Sequence, residues 1–121
     1  MKIYLAGPMR GIPHFNHPAF HQWTAHLRGQ GHEVFSPAEH DAKAFGDIAT
    51  DNPTGDETKA NGFSRRAALA ADMTWICANA DAIALMPGWA LSSGACAEKA
   101  LGLALGLEII YLAEPSTPPT A

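Results

Sequence analysis

The apolar positions of this chain fall into short continuous runs separated by helical stripes. Residues 3–6 form a run with the length of a buried strand, ended by Gly7-Pro8. From Asn16, a suitable helix N-cap with Pro18 in the first turn, Phe20, Trp23 and Leu27 recur at helical spacing until Gly29 and Gly31 stop them. Residues 33–35 read as a second short strand ending at Ser36-Pro37. Ser64 caps a second helix with Leu69, Met73 and Ile76 on one face, running to about Asn79. Residues 81–86 are the third strand, residues 93 to about 105 the third helix, and residues 108–112 the fourth strand.

Residues 38 to about 62 differ in kind. Asp, Asn, Thr, Gly and Lys dominate from Asp47 onward and no apolar period persists, so a mobile loop or lid is expected over 41–62. The proline-rich end, 114–121, is expected to fray. The alternation of strands and helices predicts one α/β domain over 1–121: a doubly wound, Rossmann-like parallel sheet of about four strands with helices on both faces. Right-handed crossovers favour the strand order 2-1-3-4. The switch point then lies between the first and third strands, where the loops 7–13 and 87–94 meet.

The chain has 121 residues, enough to bury a core without staples. Its formal net charge of -4, with no basic stripe, argues against a nucleic acid polymer as partner but not against a single nucleotide. No apolar stretch is long enough for a membrane span, and the N-terminus lacks a signal-peptide pattern. Two cysteines, Cys77 and Cys96, show no CxxC spacing, so buried free thiols in a reducing, cytoplasmic compartment are expected. Of the six histidines, His14, His17 and His21 lie close together, but no HExxH or cysteine accompanies them and no metal is assigned.

The candidate chemistry gathers around residues 81–98. Glu98 has Gly94, Ala95, Leu101 and Gly102 as helical neighbours, none a charge partner. It is either an acid favourably placed near a helix N-terminus or a group approached closely by a ligand. Asp72 has Ala68, Leu69, Trp75 and Ile76 around it, and is either half-exposed at the stripe's edge or a carboxyl with a raised pKa suited to acid chemistry. Two such carboxyls are the minimum equipment for breaking a glycosidic bond. Arg10, in a loop bounded by Gly7 and Gly11, is an ordinary exposed arginine or a phosphate clamp. Ser92 and Ser93 beside Gly94 can cap the helix or donate to the same phosphate. Tyr4 on a buried strand reads as core with a hydroxyl in search of a partner. Gly102 and Gly106 form a GxxxG, read as close packing against a neighbouring helix or strand.

Four segments in this order carry a resemblance: Tyr4-Leu5-Ala6-Gly7-Pro8-Met9-Arg10-Gly11, Asp72-Met73-Thr74-Trp75-Ile76, Ala80-Asp81-Ala82-Ile83 and Ser92-Ser93-Gly94-Ala95-Cys96-Ala97-Glu98. Together they resemble the nucleoside 2-deoxyribosyltransferase superfamily, which includes the 2'-deoxynucleoside 5'-monophosphate N-hydrolases. The resemblance implies an enzyme in which Glu98 attacks the anomeric carbon, Asp72 helps protonate or orient the leaving base and Tyr4 positions the nucleophile. It implies phosphate contacts from Arg10, Gly11 and Ser92, no cofactor, and a homodimer or larger assembly. Serine at position 92, with Arg10 present, tilts the expectation toward a nucleoside 5'-monophosphate. Two features depart from the hydrolase branch. Pro8 replaces a serine and removes a backbone N–H, and the loop 87–92 carries an inserted Trp89, which could reshape the pocket or stack on a base. The rival expectation is a non-catalytic nucleotide-binding or sensor module, in which Asp72 or Glu98 is tied up by a cation such as Lys99 or Arg65.

Overall fold

A computed structural model describes residues 1–57 and 62–113. Four parallel strands form one sheet in the order β2-β1-β3-β4: β1 (Lys2–Ala6), β2 (Glu33–Phe35), β3 (Ala82–Leu85) and β4 (Glu108–Tyr111). The helices are α1 (His17–Gly29), α2 (Pro37–Phe45), α3 (Arg65–Asn79) and α4 (Ser93–Ala104). This is the α/β fold and strand order that the alternation of elements predicts.

The central strands are buried on both faces, and their period of two divides the core. Ile3, Leu5, Ala82 and Ala84 face Phe20, Trp23 and Leu27 of α1. Tyr4, Ala6, Ile83 and Leu85 face the other way, against Ile76 of α3 and Ala95 of α4. Tyr4 therefore stands on the inner face of a central strand, with no exposed surface, beneath the helices that carry Asp72 and Glu98.

Two helix starts follow from their caps. The hydroxyl oxygens of Ser64 and Ser92 accept from the backbone N–H groups of Ala67 and Ala95 at 3.2 and 3.1 Å. Asn16 precedes α1 without capping it. It adopts φ 59°, and its amide donates instead to the Pro8 carbonyl at 2.9 Å. With His14 at φ 57° and Phe15 at φ 51°, it forms three consecutive left-handed residues without a glycine. The turn drives Phe15 into the core beside Ile48.

The segment expected to be a lid begins instead as a helix. Residues 37–45 form α2, which Arg28 of α1 ties down through two bonds to Glu39 of 2.8 and 2.7 Å. The N-terminal signature was present, with Ser36, Pro37 and Glu39 in capping-box spacing. The box itself is not made: the Ser36 hydroxyl is buried without a partner among the described residues. Residues 46–57 are anchored to the first loop. His14 N–H donates to the Asn52 carbonyl at 2.8 Å and Gly11 N–H to that of Gly55 at 3.0 Å. A Cβ at Gly55 would lie 2.1 Å from the Ile12 carbonyl oxygen, so only glycine fits there. The loop expected over 41–62 is thus corrected to helix for 41–45, and 46–57 is irregular as expected; residues 58–61 and the tail expected to fray, 114–121, lie outside the described residues.

Two smaller expectations also change. Cys77 and Cys96 are free but exposed, because each lies one position past a buried residue, Ile76 or Ala95. The GxxxG divides into two jobs. A Cβ on Gly102 would come within 2.6 Å of Ile83, so that glycine seats α4 on the sheet. Gly106, at φ 73°, ends the helix in a Schellman turn, with Leu107 N–H donating to the Gly102 carbonyl at 2.9 Å. Among the described residues no helix is long and apolar enough to cross a membrane.

Candidate active site

A cavity of about 320 Å³ opens beyond the carboxyl ends of β1 and β3, at the switch point. Its lining includes Tyr4, Asp72 and Glu98, with Gly7 and Arg10 from the first loop and Ser92, Ser93 and Gly94 from the start of α4. Phe15, Ile48 and Phe63 supply an apolar wall.

Both acids hold core positions of their helices. Ala68, Asp72 and Ile76 are the buried residues of α3, and Ala95, Glu98 and Gly102 those of α4. Asp72 is 6 % exposed, which removes the reading of a half-exposed edge residue; Glu98 is 5 % exposed. The Tyr4 hydroxyl donates to Glu98 Oε2 at 2.5 Å. Asp72 Oδ1 is buried with no hydrogen-bond partner among the described residues. No cation pairs with either acid there: Arg65 binds Glu57 at 3.1 Å, and the Lys99 ammonium lies 4.5 Å from the Trp89 ring centre.

Burial dominates the electrostatics. It pushes Glu98 up to about 8, opposed by the Tyr4 hydrogen bond and reinforced by the charges of Asp72 and Asp41. Burial likewise pushes Asp72 up to about 7, with the Asp41 charge adding to the effect and the hydrogen-bonding Tyr4 hydroxyl and the charge of His40 opposing it. Tyr4 is raised well above its ordinary value by burial and by the two acids, so it stays a hydrogen-bond donor. Such groups interact and release protons in linked steps.

At the mouth, the Ser92 hydroxyl oxygen accepts from Ala95 N–H, which leaves its own proton free to donate outward. Arg10 is exposed and makes no hydrogen bond or ion pair with the described residues. Ser93 and Gly94, whose N–H groups at the start of α4 have no intrahelical acceptor, line the same cavity.

Two expected residues stand apart. The Gly11 N–H is taken by Gly55, and Gly11 does not line the cavity. Trp89 lies outside the lining as well. Its ring packs 5.9 Å from that of Tyr111, with Lys99 over its face, because the short 3-10 turn 89–91 folds it toward β4.

One residue escaped the sequence reading altogether. Asp41 of α2 lines the cavity, is 2 % exposed, and has an Oδ1 without a hydrogen-bond partner among the described residues. His40 Nδ1 is 3.8 Å away, too far for a hydrogen bond. Burial pushes Asp41 up to about 7. The missed helix hid it: in a loop it reads as one more polar residue. No group of three or more metal-ligating side chains is arranged to hold an ion among the described residues.

No curated protein and no solved structure matches the chain significantly. Residues 1–111 match the family described as Domain of unknown function (DUF4406), and with nearly the whole described fold covered, the chain belongs to that family.

Proposed function

We propose that this protein acts at the N-glycosidic bond of a nucleoside or, in preference, its 5'-monophosphate, by hydrolysis or by transfer to a second base. The setting of Glu98 carries the reading. It is a buried carboxylate with one oxygen bound to Tyr4, no cation against it among the described residues, and Asp72 lining the same cavity. An acid kept for stability is ordinarily paired when buried. Three of the four segments that resemble the deoxyribosyltransferase superfamily contribute residues to this cavity, among them Tyr4, Arg10, Asp72, Ser92 and Glu98, which supports the same assignment.

In the first step the free Glu98 oxygen attacks C1′ of the sugar. The C1′–N bond breaks, its electron pair passes to the base nitrogen, and the Asp72 carboxyl supplies the proton. The product is a glycosyl ester on Glu98 and a free base. Water or an acceptor base then attacks C1′, gives its proton to Asp72, and releases Glu98 as the carboxylate. Tyr4, donating to Glu98, favours the ionised nucleophile. Arg10, Ser92, Ser93 and the N-terminus of α4 bind the 5'-phosphate.

Assembly as a homodimer or larger is part of the proposal: Leu103, Leu105 and Tyr111 expose apolar surface that self-association would cover. The free exposed thiols fit a reducing, cytoplasmic setting.

The test is release of free base from a panel of ribo- and deoxyribonucleosides and their 5'-monophosphates, for wild type and Glu98→Ala. Glu98-dependent release supports the proposal, and a new nucleoside formed only with added acceptor base identifies transfer. Nucleotide binding with no turnover across the panel would replace it with a sensor.

A further inference from the structure

Asp41 has no part in the steps above, yet it is among the most buried polar residues of the chain. Helix α2 packs against α3, and the two present Asp41 and Asp72 to one cavity. Each aspartate keeps an Oδ1 that is out of water and unpartnered among the described residues. Two carboxylates cannot both ionise in such a place without a cation or a donor. Among the described residues the groups around them are few. Tyr4 on β1 has one proton and gives it to Glu98 on α4, itself an acid. His40, next to Asp41 on α2, stands at 3.8 Å and has no hydrogen bond at Nδ1. Arg65 of α3 is bound to Glu57, and Arg10 is exposed at the cavity mouth.

We infer that Asp41 and Asp72 form an acid pair that shares one proton, making Asp41 the positioning residue that keeps Asp72 loaded as a donor near neutral pH. The inference deepens the proposed glycosidic chemistry and rests on it for the role of Asp72, although the pairing itself does not. Asp72 gives the shared proton to the departing base, and the pair recovers it from the water or acceptor that attacks next. The electrostatics agree in direction: after burial, the Asp41 charge is the next largest influence raising Asp72, with the hydrogen-bonding Tyr4 hydroxyl and the charge of His40 opposing it. The helix missed from the sequence therefore carries the group that sets the acid's working pH.

The pair is tested by carbon-detected titration of aspartate carboxyls in wild type, Asp41→Asn and Asp72→Asn. In wild type Asp72 titrates in linked steps, and in Asp41→Asn its upper midpoint falls by about one pH unit or more. Linkage requires the reciprocal fall for Asp41 in Asp72→Asn, so either variant suffices if the other does not fold. Where base release is measurable, its alkaline limb moves down with the Asp72 midpoint in Asp41→Asn, whereas a merely structural role would lower the rate at every pH alike. Midpoints that stay within about 0.3 units overturn the pair. Titrations that shift as expected in a protein with no turnover keep the pair and remove only the enzymatic reading.

Discussion

The Tyr4 hydroxyl and Glu98 Oε2 meet at 2.5 Å across 94 residues of sequence, with both side chains buried. The bond joins a central strand to the second turn of α4 and selects which Glu98 oxygen is left to react. Tyr4→Phe removes the donor without opening a cavity. Because the Tyr4 bond lowers the Glu98 pKa, its loss raises that pKa further. If ionised Glu98 is the nucleophile, the acid limb of the pH–rate profile moves to higher pH. A lost hydrogen bond to a charged group costs about 1.5–3 kcal/mol, so the rate near neutrality should fall roughly 10- to 100-fold. Base-release profiles of the two proteins check this.

Glu98→Gln keeps an acceptor for Tyr4 and removes the nucleophile. Base release should drop by at least about 10³-fold while near-UV circular dichroism stays near wild type. Retained turnover would show that Glu98 does not form the ester.

Arg10 is free of protein partners among the described residues, so its removal disturbs little within the fold. Arg10→Ala should raise KM for a 5'-monophosphate by about 10- to 100-fold and leave the matching nucleoside nearly unchanged. Equal effects on both substrates would move the phosphate site elsewhere.

The buried acids also predict an unusual pH dependence of stability. Glu98 at about 8 and Asp72 and Asp41 at about 7 all lie above their unfolded values of 4.5 and 3.8, so between pH 4 and 8 the folded state holds protons that the unfolded chain has lost. Stability should therefore fall as pH rises through this window. His17, lowered to about 4 by burial, acts in the opposite sense below its unfolded value of 6.5. Three acids against one histidine leave a net rise in Tm as pH drops from about 8.5 to about 5.5. Calorimetric scans across that range check the sign, and Glu98→Gln should flatten the slope.

Gly102→Ala tests the seat of α4. The added Cβ would press on Ile83 at 2.6 Å and Ile109 at 3.2 Å, so a loss of about 1–3 kcal/mol is expected by denaturant titration. The same substitution at Gly94, where the nearest such atom is Ser92 Oγ at 3.9 Å, should be milder.

What the sequence determined by itself is the order of elements and most of their ends. Apolar runs such as residues 82–86, and hydroxyl caps such as Ser64 and Ser92, are local signals, and the rule of right-handed crossovers turns them into one strand order. The switch point follows from that order, which is why Tyr4, Gly7, Arg10, Asp72, Ser92, Ser93, Gly94 and Glu98 could be assigned to one site and are found lining one cavity.

Tertiary structure decided the rest, for reasons that a linear pattern does not contain. Helix α2 has a polar residue, Asp41, at a buried position, so its apolar stripe is broken and the segment reads as loop; the fold buries it by packing α2 against α1 and α3. Trp89 turns toward Tyr111 rather than inward, and Gly11 spends its N–H on Gly55, because long-range contacts compete for groups that local spacing leaves free. The electrostatics belong to this level too. The sequence singles out Asp72 and Glu98 by their apolar neighbours, but only burial in a shared cavity, with no cation paired to either among the described residues, makes proton holders of them.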